Sequence, residues 1–279
     1  MFHALVAVKQ VPDTTNIRID PETGNLIRQG VPTILNPYDA HALAAAVEWK
    51  EKLGGKITVI SMGPPSAVTT IRECIEMGAD RGVLITARQF AGADTLATSY
   101  VLGSIIQRIH DEDPLSIVLF GKQAIDGDTA QVGPGVSIRL DFPLITYAVK
   151  IHEINLEENY LVAERKTESY NEIIRTPLPA GLTCEKEIAR IPYASLPNLV
   201  YSLRYEPEVW TAETPIQFPL DQIGLKGSPT WVFKTTQPDL HTPGEVINVT
   251  EMGVGPAVKS VFEKIEASGV LKSVTGGAK

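Results

Sequence analysis

Short apolar runs alternate with stretches of helical periodicity through the first half of the chain, the pattern of a mostly parallel sheet covered on both faces. Residues 2–8, 56–62, 82–86 and 115–121 read as strands. Between them, residues 39–53 place Leu43, Ala46, Val47 and Leu53 at helical spacing. Pro37 and the Tyr38-Asp39 pair start that helix, and Gly54-Gly55 stops it. Residues 66–77 form a second predicted helix closed by Gly78. Residues 95–110 form a third, with Leu96, Tyr100, Leu102, Ile105, Ile106 and Ile109 as a wide apolar stripe.

From Pro143 the texture changes. Residues 144–151, 160–166 and 171–175 are strand-like runs separated by short polar turns, which predicts an antiparallel addition to the sheet, and 177–184 predict one more buried strand. Beyond Pro192 prolines recur to about Pro243 with little periodicity. So long an irregular stretch is uncommon in a compact domain unless it lies against something else. The expected division is an α/β domain over 1–200 and a long C-terminal arm over 201–279, with a last helix near 255–268 and a disordered tail at 272–279. Trp210, Trp231, Val232 and Phe233 bring large apolar surface that is costly to leave in water.

In an open parallel sheet, ligands bind at the carboxyl ends of the strands near a switch in strand order. Three segments leave predicted strands at that edge: Ala7-Val-Lys9-Gln10, Ser61-Met62-Gly63-Pro64 and residues 121–134, Gly-Lys-Gln-Ala-Ile-Asp-Gly-Asp-Thr-Ala-Gln-Val-Gly-Pro. The last runs from an apolar strand into the helix body expected at 136–140. Such a loop presents free backbone N–H groups and the positive end of a helix dipole, which suits a phosphate. Thr129 or Asp128 is a candidate helix cap, and Pro134 is tolerated in the first turn. The spacing matches neither a Walker A loop nor the G-x-G-x-x-G fingerprint, so by spacing alone it is an anion loop or a plain strand-to-helix turn.

Composition narrows the classes. The formal net charge of −8 and the lack of a basic stripe argue against a nucleic-acid partner. Cys74 and Cys184 form no C-x-x-C and read as buried small apolar residues; the five histidines lack ligand spacing, so no metal site is expected. No run is long enough for a transmembrane helix, and the N-terminus goes straight into a strand pattern without a signal peptide. A cytoplasmic location is the expectation.

Gly121-Lys-Gln-Ala-Ile-Asp126, followed by Asp128 and Gln131, resembles the nucleotide loop of electron-transfer flavoprotein β subunits. Val6-Ala-Val-Lys9, Asn36-Pro-Tyr38, Met77-Gly-Ala-Asp-Arg-Gly82 and Tyr193-Ala-Ser-Leu-Pro-Asn198 agree with that family, in family order, along nearly the whole chain. The resemblance implies a Rossmann-like, doubly wound nucleotide-binding domain whose arm packs on a partner α subunit. It also implies nucleotide contacts from Ala7; from Asn36, Pro37, Tyr38 and Asp39; from Met62; and from Gly121, Lys122, Gln123, Ala124, Ile125, Asp126, Gly127, Asp128, Thr129, Ala130, Gln131 and Val132. Lys9 and Gly63 join them by their place at strand ends. Asp126 and Asp128 would repel phosphate, so they are expected to accept backbone hydrogen bonds that fix the loop. Leu196 matches the family's recognition loop, in which a leucine enters a pocket on a partner dehydrogenase.

Val8-Lys-Gln-Val-Pro-Asp-Thr14, Asp126-Gly-Asp-Thr-Ala-Gln-Val-Gly-Pro134 and Gly224-Leu-Lys-Gly-Ser-Pro-Thr230 resemble the electron-bifurcating group of the family. In that group the β subunit holds FAD, takes a hydride from NADH, sends one electron through the α-subunit FAD to a flavin-dependent dehydrogenase (acyl-CoA, enoyl-CoA or 2-hydroxyacid type), and sends the other to ferredoxin or flavodoxin. Gly127 and Gly133 are expected to clear a path for the longer diphosphate. Thr129 and Gln131 would donate to its oxygens, and Val11-Pro12 would offer an apolar turn to the ring. No catalytic acid, base or nucleophile is expected, because the flavin carries the chemistry. Two alternatives stand beside this reading: a conventional β subunit with structural AMP, and a free-standing adenine-nucleotide protein of the stress type.

Overall fold

The computed structural model describes residues 1–13, 32–231, 233 and 245–269. A sheet of nine strands runs in the order β11-β5-β4-β1-β6-β10-β7-β8-β9. Its parallel part comprises β1 (His3–Ala7), β4 (Lys56–Met62), β5 (Arg81–Ile85), β6 (Ile117–Gly121), β10 (Ala180–Cys184), the start of β7 (Leu144–Asn155) and β11 (Glu208–Trp210). The antiparallel part adds β8 (Tyr160–Lys166) and β9 (Asn171–Pro177) to β7. A separate two-stranded sheet pairs β2 (Gln10–Pro12) with β3 (Thr33–Leu35).

The strands alternate sides as their sequence dictates. Ile117 and Leu119 of β6 join one core, with Ala4 and Val6 of β1 and with residues of α1 (Pro37–Leu53) and α2 (Val68–Met77). Val118 and Phe120 join the other, with Leu5 and residues of α3 (Thr95–Glu112) and α4 (Val132–Leu140). Helices thus cover both faces, which is why the central strands are apolar throughout. The chain steps from β1 to β4 and β5 on one side, then crosses back to β6 on the other side of β1. That reversal opens a crevice between the carboxyl ends of β1 and β6.

The mostly parallel α/β fold, its three first-half helices and the antiparallel extension agree with the sequence reading. The strand expected at 177–184 is β10, and it lies between β6 and β7. The segment from 201 differs from the expected arm. The compact unit runs from Met1 to Trp231. After α5 (Leu196–Ser202), β11 pairs with β5, and Trp210, Ala212, Phe218 and Ile223 are buried in the second core. A three-residue strand followed by turns shows no period, but its apolar side chains still drive it onto its own sheet.

The second unit spans Val232–Lys279. Its described part carries α6 (Val249–Met252) and α7 (Val254–Ala267), close to the helix expected at 255–268. Along α7, Val254, Val258, Val261, Phe262 and Ile265 form one apolar stripe with substantial exposure. Trp231 and Phe233 are exposed as well, while Val232 and the expected disordered tail at 272–279 lie outside the described residues. No described helix is long and apolar enough to cross a membrane.

Candidate functional site: the crevice between β1 and β6

The crevice is organised by one short stretch, residues 36–39. Pro37 opens α1 at its first position, where its missing N–H costs nothing. Asn36, just before it, makes no cap bond with its side chain. That side chain is buried and reaches across the crevice instead. Its amide donates to the carbonyl of Gln123 at 2.9 Å, and its oxygen accepts the N–H of Ile125 at 3.2 Å. Asp39 is buried too. One carboxylate oxygen accepts the N–H of Lys9 at 2.8 Å and the other the N–H of Gly121 at 3.0 Å. A single carboxyl therefore spans the split between the two strand tips. Burial pushes its pKa up to about 7, against the lowering effect of Asn36 and of the two amides.

Gly121 is glycine because of this arrangement. A Cβ there would fall 2.2 Å from the Asp39 Oδ1 and 2.8 Å from its backbone nitrogen. Beyond it, the loop turns tightly: Gly127 and Asp128 both donate to the carbonyl of Ala124, at 3.3 and 2.9 Å. Asp128 and Ala130 have positive φ, +50° and +54°, a conformation uncommon outside glycine. Ala130 is followed by Gln131 at φ −102°. Such a change of sign between neighbours curls successive N–H groups toward one side, which makes a concavity for an anion.

Lys9 and Asp126 close this end of the site. The Lys9 ammonium lies 2.8 Å from both oxygens of Asp126. Asp128 accepts from the Gln123 amide at 2.7 Å. The hydrogen bonds made by these two carboxylates thus come from side chains, not from the backbone amides expected from the sequence. Lys122 pairs with Glu185 at 2.9 Å, which raises its pKa, and its ammonium lies 6.0 Å from the Tyr38 ring and 5.3 Å from the Tyr147 ring.

Other expectations for the loop are corrected. The α4 cap position is held by Gln131, with no side-chain cap bond, and not by Thr129 or Asp128. The Gln131 oxygen accepts from Thr95 at 2.8 Å, which leaves its NH2 as the donor end. Gly127 does have open space where a Cβ would stand, but a Cβ on Gly133 would meet Thr183 at 2.7 Å and Phe120 at 3.2 Å. Gly133 therefore lets α4 lie close on the sheet and clears no path for a ligand. Val11 is fully buried in β2, so of the Val11-Pro12 pair only Pro12 presents surface.

The remaining site residues fall at the same edge. Ala7 ends β1 and Met62 ends β4, which lies directly beside β1. Gly63 donates to the carbonyl of Ile85 at 3.0 Å, so the chain after β4 leans toward β5. Thr95, Tyr147 and Glu185 were not among the residues selected from the sequence, and Gln10 was marked only as part of the segment leaving β1. Gln10, at the start of β2, ties the chain beyond β1 to the start of α2, donating to Thr69 at 3.1 Å and accepting from Ser66 at 3.0 Å. Tyr147 sits at a bulge in β7 with φ +55°, held by a 3.0 Å bond from its N–H to Thr183. No periodicity marks such a residue; a bulge is visible only once strands are paired. Leu196 stands apart from the crevice group, at the first position of α5, which packs on α2. It is 73 % exposed, beside Pro197, Val200, Tyr201 and Arg204. Among the described residues, no group of three or more His, Cys, Asp or Glu is placed to hold a metal ion.

The donor set suits the phosphate of a nucleotide. Backbone amides at the Ala130–Gln131 concavity, the start of α4, the Thr129 hydroxyl and the Gln131 amide are neutral donors, and Gly127 leaves room beside them.

Comparison with known proteins places the chain in a family. Residues 23–198 match the electron transfer flavoprotein domain. The chain is 42% identical over 273 residues to the electron transfer flavoprotein subunit beta of Thermoanaerobacterium thermosaccharolyticum, covering 97% of this chain and 100% of that one. It is 42% identical over 263 residues to the caffeyl-CoA reductase-Etf complex subunit CarD of Acetobacterium woodii, covering 93% and 98%. Against protein FixA of Azotobacter vinelandii it is 42% identical over 237 residues, covering 85% and 84%. The chain belongs to the electron transfer flavoprotein family, as a subunit of the β type.

Proposed function

We propose that the chain is the β subunit of a heterodimeric, bifurcating electron transfer flavoprotein of the cytoplasm. In this reading it binds FAD in the β1/β6 crevice, draws electrons from NADH, and delivers them along two branches. One leads to ferredoxin or flavodoxin, the other through the α-subunit FAD to a flavin-dependent dehydrogenase. Bound FAD supplies the chemistry, accepting two electrons as a hydride and releasing them singly. The chain's own residues hold and orient it. Asn36 and Asp39 fix the loop and strand tips, the loop amides, Thr129 and Gln131 meet the diphosphate, and Tyr38 borders the site beside Lys122. The observation that carries the reading is the pinned loop over 121–132, with neutral donors and open space at Gly127. The names of the CarD and FixA relatives support the bifurcating assignment.

Flavin and AMP analysis of the co-purified α/β pair tests it. Two FAD per heterodimer, with bleaching by NADH, is the expected result; one FAD and one AMP would overturn it. The packed surroundings of Gly133 favour that second reading, since only Gly127 of the two glycines leaves space for a longer ligand. Exposed Leu196 supports docking to the dehydrogenase, and the apolar stripe of α7 supports packing of the C-terminal segment on the α subunit.

A further inference from the structure

We propose that Asp94 and Thr95, at the start of α3, are positioning residues that tie nucleotide occupancy of the crevice to the hold on residues 224–230, the turn from which the chain leaves the compact unit. This rests on the reading of the crevice as a nucleotide site, and it applies to any nucleotide that engages Gln131.

The turn at 224–230 is seated on the loop before α3 by its own backbone. Leu225 donates to the carbonyl of Ala91 at 3.1 Å. Gly224 has φ +57°, and a Cβ there would fall 2.0 Å from the carbonyl oxygen of Gln89, so glycine is what lets the two stretches lie this close. Asp94 then clasps the end of the turn. Its Oδ2 accepts the N–H of Thr230 at 3.2 Å and the Thr230 hydroxyl at 2.8 Å, and its own N–H donates to the Ser228 hydroxyl at 2.8 Å. The other oxygen, Oδ1, caps α3, accepting from Leu96 and Ala97 at 3.0 Å each. One carboxylate thus holds both the turn and the helix. Thr230 stands next to Trp231, where the compact unit ends. On the other side, Thr95 donates its hydroxyl to the Gln131 oxygen at 2.8 Å. Gln131 stands at the head of α4, and its NH2 is one of the neutral donors of the crevice. A phosphate that takes this NH2 steadies Gln131, Gln131 steadies Thr95, and Asp94 is the adjoining residue of the same helix start. Coupling of this kind is reciprocal, so whatever steadies the turn also favours the bound nucleotide.

Backbone hydrogen exchange across 224–230 reads the coupling, in the co-purified α/β pair stripped of nucleotide and then saturated with FAD or with AMP. Equilibrium dialysis establishes occupancy. A filled crevice is expected to slow exchange at Thr230 and its neighbours by about threefold to tenfold, the net worth of one hydrogen bond. Thr95→Val keeps the shape, removes the hydroxyl and should abolish that slowing, whereas Thr95→Ser should keep it. A merely structural role for Thr95 would shift exchange equally with and without nucleotide. From the far end, Thr230→Val removes one donor to Asp94 and should raise the nucleotide Kd by roughly twofold to fivefold. Three results each overturn the coupling and leave the nucleotide site standing: wild-type exchange that ignores bound nucleotide, slowing retained in Thr95→Val, or an unchanged Kd in Thr230→Val. A wild-type pair that binds neither nucleotide overturns the site and the coupling together.

Discussion

The Asp39 carboxyl sits out of water between two strand tips, where burial raises its pKa to about 7. In the unfolded chain the same group titrates near ~3.9. Between about pH 4 and pH 7 the folded state therefore binds more protons, and this group's contribution to stability falls as pH rises, by at most about 1.4 kcal/mol per pH unit. Above the folded value both states are ionised and the contribution is constant. Denaturation midpoints of wild type and Asp39→Asn should thus differ most favourably for the wild type at the acid end, and a pH-independent difference would refute the assignment. At the neighbouring position, Gly121→Ala drives a Cβ into the same carboxyl. It should cost about 1–3 kcal/mol in stability, read from the denaturant midpoint, and lower nucleotide content. Neither role was legible in the chain itself. Asn36-Pro-Tyr-Asp39 could be marked as site residues, but what Asn36 and Asp39 hold lies 82 to 89 residues away on the far lip, or at Lys9.

Among the elements, those with a sustained period were readable and those without were not. β4 matches its expected bounds because a run rich in β-branched and apolar residues is bracketed by Gly54-Gly55 and Gly63, and α1 and α3 follow from long stripes with a proline start and an aspartate cap. β11 has three residues and no such signature. Its attachment comes from long-range contacts, the burial of Trp210 and the paired contacts of Arg81 with Glu208 at 2.7 and 2.8 Å. Trp210→Ala should accordingly destabilise the compact unit by about 3 kcal/mol and expose the edge of β5. Native-state proteolysis should then cut between 203 and 231 faster than in wild type. Equal cutting rates would mean that this segment is only loosely held.

At the level of the molecule, the surfaces left apolar are those a free-standing chain has no use for. The exposed Leu196, with Pro197 and Val200 on the same short helix, offers a single anchor with little burial of its own. Truncating it should leave folding and flavin content unchanged. Leu196→Ala should slow electron delivery to the dehydrogenase about tenfold or more, as loss of a buried apolar anchor does at other interfaces. Stopped-flow transfer between the co-purified pair and its dehydrogenase checks this, and an unaltered rate would remove the leucine from docking.

Both lips of the crevice are bolted to the same four residues: Asp39 grips the end of β1 and the end of β6, and Asn36 grips the loop beyond β6. The jaws therefore share one hinge pin, the first turn of α1. A displacement of either jaw therefore pulls on the first turn of α1, and through it on the other.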